Sequence, residues 1–284
     1  MRDIGLIGAG YIGKRFVESL READYSLTVY DVDDSQVEYA EERGAEAADS
    51  PAEVGRASDA VFMALPGTPE VEATIEGEDG LLPALDPGDL VVDSTTTKVE
   101  TAREYEAKCG DRDVHWVSAP LTRAAPVEGI HMMIGGSDAS YGEAEELIET
   151  VSTRHIRLGD VERALRFKYA LQIRYASHLA LDAEIVAFAR ESDVDPRPLN
   201  EFLGMDISER LFEGDYTQDV EGLGGLAIWD KDLGYALDVA REDDIAMPLT
   251  SLVHETYKHG HRVAREEEGD ATTIARYWAA LNGR

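Results

Sequence analysis

The 284-residue sequence predicts an α/β fold, a doubly wound parallel sheet followed by an all-helical region, and three observations carry that prediction. Strand-length hydrophobic runs alternate with helix-length amphipathic segments as far as residue 160. Beyond that point no strand pattern returns, and apolar residues recur at three- and four-residue steps. At the start of the chain, Ile4-Gly-Leu-Ile-Gly8-Ala-Gly10-Tyr-Ile-Gly13 runs into an amphipathic segment and then into Leu27-Thr-Val-Tyr-Asp31, which reads as strand, turn, helix, strand.

In that opening unit the glycines have separate tasks. Gly8 makes the tight turn, Gly10 lets the backbone approach a pyrophosphate, and Gly13 lets helix and strand pack closely. The helix start at Tyr11 and Ile12 aims free N–H groups and a positive dipole end at the phosphates. Asp31 stands eighteen residues after Gly13, where a carboxylate accepts from both hydroxyls of an adenosine ribose and repels a 2′-phosphate. The pattern predicts a Rossmann domain with NAD as cofactor, NADH preferred over NADPH. A plain structural βα turn is the alternative, and the strand before, the helix after and the spacing of the acid together argue against it.

After Asp31, Asp34 to Arg43 reads as a helix ended by Gly44. Ser50-Pro51-Ala-Glu53 carries an N-cap, an N1 proline and a capping-box acid for a short helix. Asp59 to Leu65 is a buried strand ending in the Pro66-Gly67 loop, at the carboxyl end of a parallel strand where ligands sit in open α/β sheets. Thr68 to Glu76 is helical, Leu90 to Asp93 a strand, and Ser94-Thr95-Thr96-Thr97 precedes a helix through Lys108, with Thr97 expected as its cap. Val114 to Ser118 is a strand, followed by the loop Ala119 to Gly129, the strand Ile130 to Ile134, the helix Asp138 to Val151 and the strand Arg154 to Leu158. Arg123, a cation in a loop of small residues, is a candidate anion contact, a surface ion pair being its alternative. The domains expected are 1–160, binding dinucleotide, and 161–284, all helical.

The second region opens on one long helix from Glu162 to Arg190, roughly 40 Å at 1.5 Å per residue. Lys168, Gln172 and Tyr175 share a partly apolar face of it, where burial would lower the lysine pKa; a snorkelling surface lysine is the alternative. Helices follow at Arg197 to Leu203, Trp229 to Glu242, Pro248 to Glu268 and Thr272 to Leu281, with a Gly-rich Glu221 to Gly225 between them. His259 and His261, two apart on a helix, face different sides and make no metal pair.

Composition narrows the function classes. Fifty-eight acids against 27 bases give a net charge of −31, a field that repels nucleic acid and anionic lipid alike. The acids are scattered through the helices, as in a solvated acidic shell, and suggest a salt-adapted, haloarchaeal cytoplasm. No run of 18 apolar residues and no signal peptide is found, so neither a membrane nor secretion is expected. Cys109 is the single cysteine, so no intramolecular disulfide and no thiolate metal cluster can form.

The fingerprint, Asp93-Ser-Thr-Thr96, Ala119-Pro-Leu-Thr122 leading to Met132-Met-Ile-Gly-Gly136, Lys168, and Lys231-Asp232-Leu233 through Ala240 followed by Met247-Pro248-Leu249 resemble the β-hydroxyacid dehydrogenase family across nearly the whole chain. That family includes 3-hydroxyisobutyrate dehydrogenase, tartronate semialdehyde reductase and sulfolactaldehyde reductase. The resemblance implies a site between two domains, with Lys168 as general acid/base, Thr122 and Gln172 at the substrate, Thr96 near the nicotinamide and Lys231 helping to close the site beside substrate and cofactor. It places Leu65 and Pro66 along the cofactor, and it implies a homodimer or homotetramer. Arg123 stands where commoner members carry glycine and where sulfolactaldehyde reductase carries arginine, which points to a small anionic substrate. Ala164 and Glu162 replace glycines, Leu171 and Gln172 replace an Asn pair, and Thr122-Arg123-Ala124 replaces Ser-Gly-Gly in a shorter loop. A non-catalytic NAD sensor would have no need of Lys168, and an imine reductase would replace it.

Overall fold

The computed structural model describes residues 3–123, 128–214, 225–263 and 273–283. The chain forms two compact units, Met1–Lys168 and Tyr169–Arg284. In the first, strands and helices alternate: β1 (Asp3–Ile7), α1 (Tyr11–Glu22), β2 (Ser26–Tyr30), α2 (Asp34–Glu41), β3 (Glu46–Ala47), α3 (Pro51–Arg56), β4 (Ala60–Met63) and α4 (Thr68–Glu76). A 3-10 turn at Leu82–Ala84 leads to β5 (Leu90–Asp93), α5 (Val99–Gly110), β6 (His115–Ser118), β7 (Leu121–Thr122), β8 (His131–Gly135), α6 (Asp138–Val151) and β9 (Arg154–Gly159). The sheet order is β3-β2-β1-β4-β5-β6-β8-β7, with β9 on β8. Pairing is parallel from β3 to β6, the doubly wound Rossmann order, while β8 runs antiparallel to β6 and β7.

A parallel sheet covered on both faces needs strands that are apolar throughout, and β4 and β5 are buried at every residue. Ile4, Leu6, Phe62, Val92 and Val117 pack with Phe16, Val17 and Leu20 of α1 and with Ala144, Leu147, Ile148 and Val151 of α6. The Phe16 and Phe62 rings meet at 5.3 Å. Local chemistry sets the helix starts. Ser50 Oγ accepts from Glu53 N at 3.2 Å, but the Glu53 carboxylate reaches back to Asp49 N at 2.7 Å, one residue before the cap. The expected cap at Thr97 is not formed. Lys98 is the N-cap of α5 without a side-chain bond of its own, and Thr68 Oγ1, from the start of α4, accepts the Lys98 N–H at 2.9 Å.

The second unit is helical. α7 (Val161–Glu191) begins in the first unit and continues as the opening element of the second, followed by α8 (Pro198–Glu201), α9 (Glu209–Glu213), α10 (Leu226–Glu242), α11 (Pro248–Val263) and α12 (Ile274–Leu281). Along α7 the buried residues Ala176, Ala180, Ala183 and Val186 form a stripe of small side chains at helical spacing, against which Leu211, Phe212, Leu226, Leu233 and Tyr257 pack. Tyr257 crosses that core: its ring stacks on Trp229 at 6.1 Å and its hydroxyl donates to Ala176 O at 3.0 Å. The expected extension of α11 through residue 268, the start of the last helix at Thr272, the loop at 124–127 and the Gly-rich 221–224 lie outside the described residues. Among the described residues no helix is long and apolar enough to cross a membrane.

Candidate active site

Because β1, β4, β5 and β6 are parallel and in register, their carboxyl ends and the loops that follow share one edge. The bonds Ala64 N to Ile7 O (2.9 Å), Ser94 N to Met63 O (2.8 Å) and Ala119 N to Asp93 O (2.7 Å) carry the ladder one step past the strands. The loops beginning at Gly8, Ala64, Ser94 and Ala119 therefore stand side by side, where such sheets bind ligands.

The glycine turn has the geometry a dinucleotide requires. Gly8 has φ +92°, and a Cβ there would lie 2.4 Å from Ala64 O; a Cβ at Gly13 would lie 2.0 Å from Gly8 O, so helix and turn touch backbone to backbone. A Cβ at Gly10 would meet nothing within 4 Å, which leaves open space where a phosphate would approach. Gly10 caps α1 with no side-chain bond and the first turn holds no acid, so the N–H groups of Tyr11, Ile12 and Gly13 have no intrahelical acceptor and no competing carboxylate. These residues fit a pyrophosphate. Asp31 is tied to the same turn: Oδ2 accepts from Ala9 N at 2.6 Å and Oδ1 from Asp33 N at 2.9 Å, leaving each oxygen further lone-pair capacity for a ribose hydroxyl.

The two neighbouring loops are cross-braced. Asp93, fully buried, accepts from Thr95 N at 2.9 Å, and Thr95 Oγ1 accepts from Leu65 N at 3.1 Å. That holds Leu65, exposed Pro66 and half-buried Thr96 on one edge with the glycine turn. In the run Ser94-Thr95-Thr96-Thr97 nothing in the sequence distinguishes Thr95 as the hydroxyl that does the bracing.

Thr122 sits in β7 opposite His131. Arg123 follows it, and its guanidinium lies 5.0 Å from the centroid of the Tyr11 ring. Among the described residues it makes no ion pair. It lines a cleft of about 420 Å³ with Arg15, Glu18, Glu128, Thr150 and Ser152. Lys168 is 7 % exposed, not snorkelling, and its Nζ donates to Leu121 O at 2.8 Å, beside Thr122. One turn on along α7, buried Gln172 donates through Nε2 to Asp232 Oδ2 at 2.5 Å, while Lys231 Nζ pairs with Asp232 Oδ1 at 2.8 Å and lies 5.1 Å from the Tyr235 ring centroid. The organising residue of this second group, Asp232, was legible only as a member of the Lys-Asp-Leu run. Next to a lysine, an aspartate reads equally well as a solvated surface charge.

Two side chains with other possible chemistry lie elsewhere. Cys109 is buried, and burial pushes its thiol up to about 12, so it offers no thiolate at neutral pH. The His259 ring bonds to Glu255 O at 2.8 Å and stacks on Tyr277, and no group of three metal-ligating side chains occurs among the described residues.

Comparison with known proteins places the chain in a family. Residues 3–159 match the family described as the NAD binding domain of 6-phosphogluconate dehydrogenase, and residues 164–278 match the NAD-binding family of NADP-dependent 3-hydroxyisobutyrate dehydrogenase. L-threonate dehydrogenase of Cupriavidus necator is 28 % identical over 96 % of this chain and 95 % of its own length. The Arabidopsis thaliana protein named "Probable 3-hydroxyisobutyrate dehydrogenase-like 2, mitochondrial" is 31 % identical over 88 % of this chain and 84 % of its own. A solved structure of 3-hydroxyisobutyrate dehydrogenase from Salmonella typhimurium shares the fold with a TM-score of 0.84, at 22 % identity over 96 % of this chain and 99 % of that one. With both family models matched in order along one chain, the protein belongs to the β-hydroxyacid dehydrogenase family and is an NAD(P)-dependent oxidoreductase.

Proposed function

We propose that the protein interconverts a small β-hydroxyacid and its semialdehyde, in the manner of 3-hydroxyisobutyrate dehydrogenase, using NAD(H), with Lys168 as general acid/base. The observation that carries this is Lys168 itself: a buried ammonium on α7, oriented by the Leu121 carbonyl and set beside Thr122. When bound, the nicotinamide donates or accepts the hydride. Lys168 does what remains, giving a proton to the carbonyl oxygen as negative charge grows on it, or taking the hydroxyl proton in the reverse direction. One N–H of the ammonium is held by Leu121, which fixes the direction of the others. Thr122 and Gln172 are assigned to the substrate, and Arg123 takes its acid group.

The relatives' names support the substrate class, since threonate, 2-(hydroxymethyl)glutarate and 3-hydroxyisobutyrate are all hydroxylated carboxylates. A sulfonate is the second reading: Arg123 is unpaired by any carboxylate among the described residues, and its N–H fork suits either acid. The domains proposed remain a dinucleotide-binding region to residue 160 and a helical region beyond it. We assign the protein to a salt-rich cytoplasm on the strength of its −31 charge. We also propose that it works as a homo-oligomer through the helical unit, where Phe188 and Leu249 stand 74 % and 75 % exposed.

The deciding experiment is a panel of aldehyde acids with NADH, run on the parent and on Lys168→Ala. Loss of proton transfer is expected to lower kcat by about 10²- to 10⁴-fold. NADH binding should be unchanged. Undiminished turnover in Lys168→Ala removes the lysine from the chemistry, and no turnover by the parent with any member of the panel overturns the proposed substrate class.

A further inference from the structure

Tyr11 and Arg123 come from different loops of the first unit. Tyr11 is the first residue of α1, directly after the glycine turn, and Arg123 is the first residue beyond β7. Their 5.0 Å separation, guanidinium carbon to ring centroid, is within the roughly 6 Å reach of a cation–π attraction. Such an attraction acts through the ring quadrupole and consumes no hydrogen-bond acceptor. It therefore holds the charge in place while leaving the guanidinium's N–H donors for a two-oxygen partner.

The surroundings agree with that use. In a chain of 58 acids and 27 bases, a partly exposed arginine would ordinarily be met by a carboxylate, yet among the described residues Arg123 has none. Glu128 lines the same cleft without pairing to it. Tyr11 also carries one of the uncapped first-turn N–H groups of α1, so the residue that would help hold a dinucleotide phosphate through its backbone holds the arginine through its ring.

We infer that Tyr11 is a positioning residue for Arg123, its ring keeping the guanidinium ready for an oxyanion and joining the cofactor turn to the acid-binding loop. This rests on Arg123 taking the substrate's acid group; the same donors would suit a phosphate oxygen of the dinucleotide, so the ligand is an oxyanion and the two sources must be separated by experiment.

Tyr11→Leu and Tyr11→Gln are made in the full chain, alone and with Arg123→Leu. KM and kcat are measured at saturating NADH for an acid-bearing semialdehyde and for a neutral aldehyde of similar size, and the Kd of NADH is read by its fluorescence. Replacing the ring is expected to raise KM for the acid-bearing substrate by about two- to fivefold with kcat unchanged. The loss should appear only when Arg123 is present, and Tyr11→Phe should recover it. If Arg123→Leu handles acid-bearing and neutral substrates alike, Arg123 is not the acid ligand. The role of Tyr11 then stands if the same non-additive loss is found in the Kd of NADH, which assigns the oxyanion to the cofactor. Losses that add independently in both KM and Kd, or that Tyr11→Phe does not recover, overturn the inference.

Discussion

Asp31 commits one lone pair of each oxygen to backbone N–H groups, of Ala9 and Asp33, so its carboxylate is fixed in place before any ribose arrives. A 2′-phosphate brought to it would meet a full negative charge, with exposed Val32 and then Asp33 following in the chain and no arginine to compensate. We expect kcat/KM for NADH to exceed that for NADPH even at high salt, where the acidic shell is screened; a preference for NADPH there refutes the role given to Asp31. At Arg123 the expectation is selective. Arg123→Leu should raise KM for acid-bearing substrates by roughly 10- to 150-fold, the equivalent of about 1.5 to 3 kcal/mol for a charge-assisted contact, and leave neutral aldehydes nearly unaffected. Equal losses on both would reduce Arg123 to a support of its loop. At this scale the sequence displayed residues whose backbone geometry is demanding, such as Gly8 and Gly13, better than those whose role depends on a partner. Nothing local to Asp232 says that its two oxygens divide between Gln172 and Lys231.

Among the elements, α1 is tightly constrained in its placement. Its third residue lies so close to the glycine turn that an added methyl group would overlap the Gly8 carbonyl, with backbone on both sides and no side chain free to yield. Gly13→Ala should therefore push α1 away from β1, costing about 1 to 3 kcal/mol of stability by overpacking and weakening NADH binding at least as much as it lowers Tm. Retention of parental NADH affinity by a folded Gly13→Ala protein would contradict this. Elements with a clear pattern were legible: the helices α4 and α6 and the strand β5, apolar from Leu90 to Val92, lie where the sequence places them. The ones that escaped are short. β3 and β7 have two residues each, the 3-10 turn at Leu82–Ala84 has three and α9 has five, too few for a period of two or 3.6 to declare itself. β7 matters most among them, since its carbonyl at Leu121 orients Lys168. Local sequence points to Thr97 as the cap of α5, whereas Thr68 supplies the acceptor from thirty positions away, beyond the reach of any neighbouring-residue pattern.

For the whole molecule, a charge of −31 sets the conditions under which any of this can be measured. Repulsion among the surface acids acts over a Debye length of about 10 Å at 0.1 M salt and about 3 Å at 1 M. Tm and NADH-dependent activity should both rise across that interval, and a protein equally stable and active at both ends would not be salt-adapted. The division of the chain into two matched families invites exchange of either half with that of a relative as a cassette. Lys168 argues against it. It lies inside the second matched segment, which begins at residue 164, yet its ammonium is held by Leu121, which belongs to the first. A chimera joined between residues 159 and 164 would keep the dinucleotide turn and the lysine but leave the lysine's anchoring carbonyl to a foreign loop, so substrate preference in such hybrids should follow neither parent.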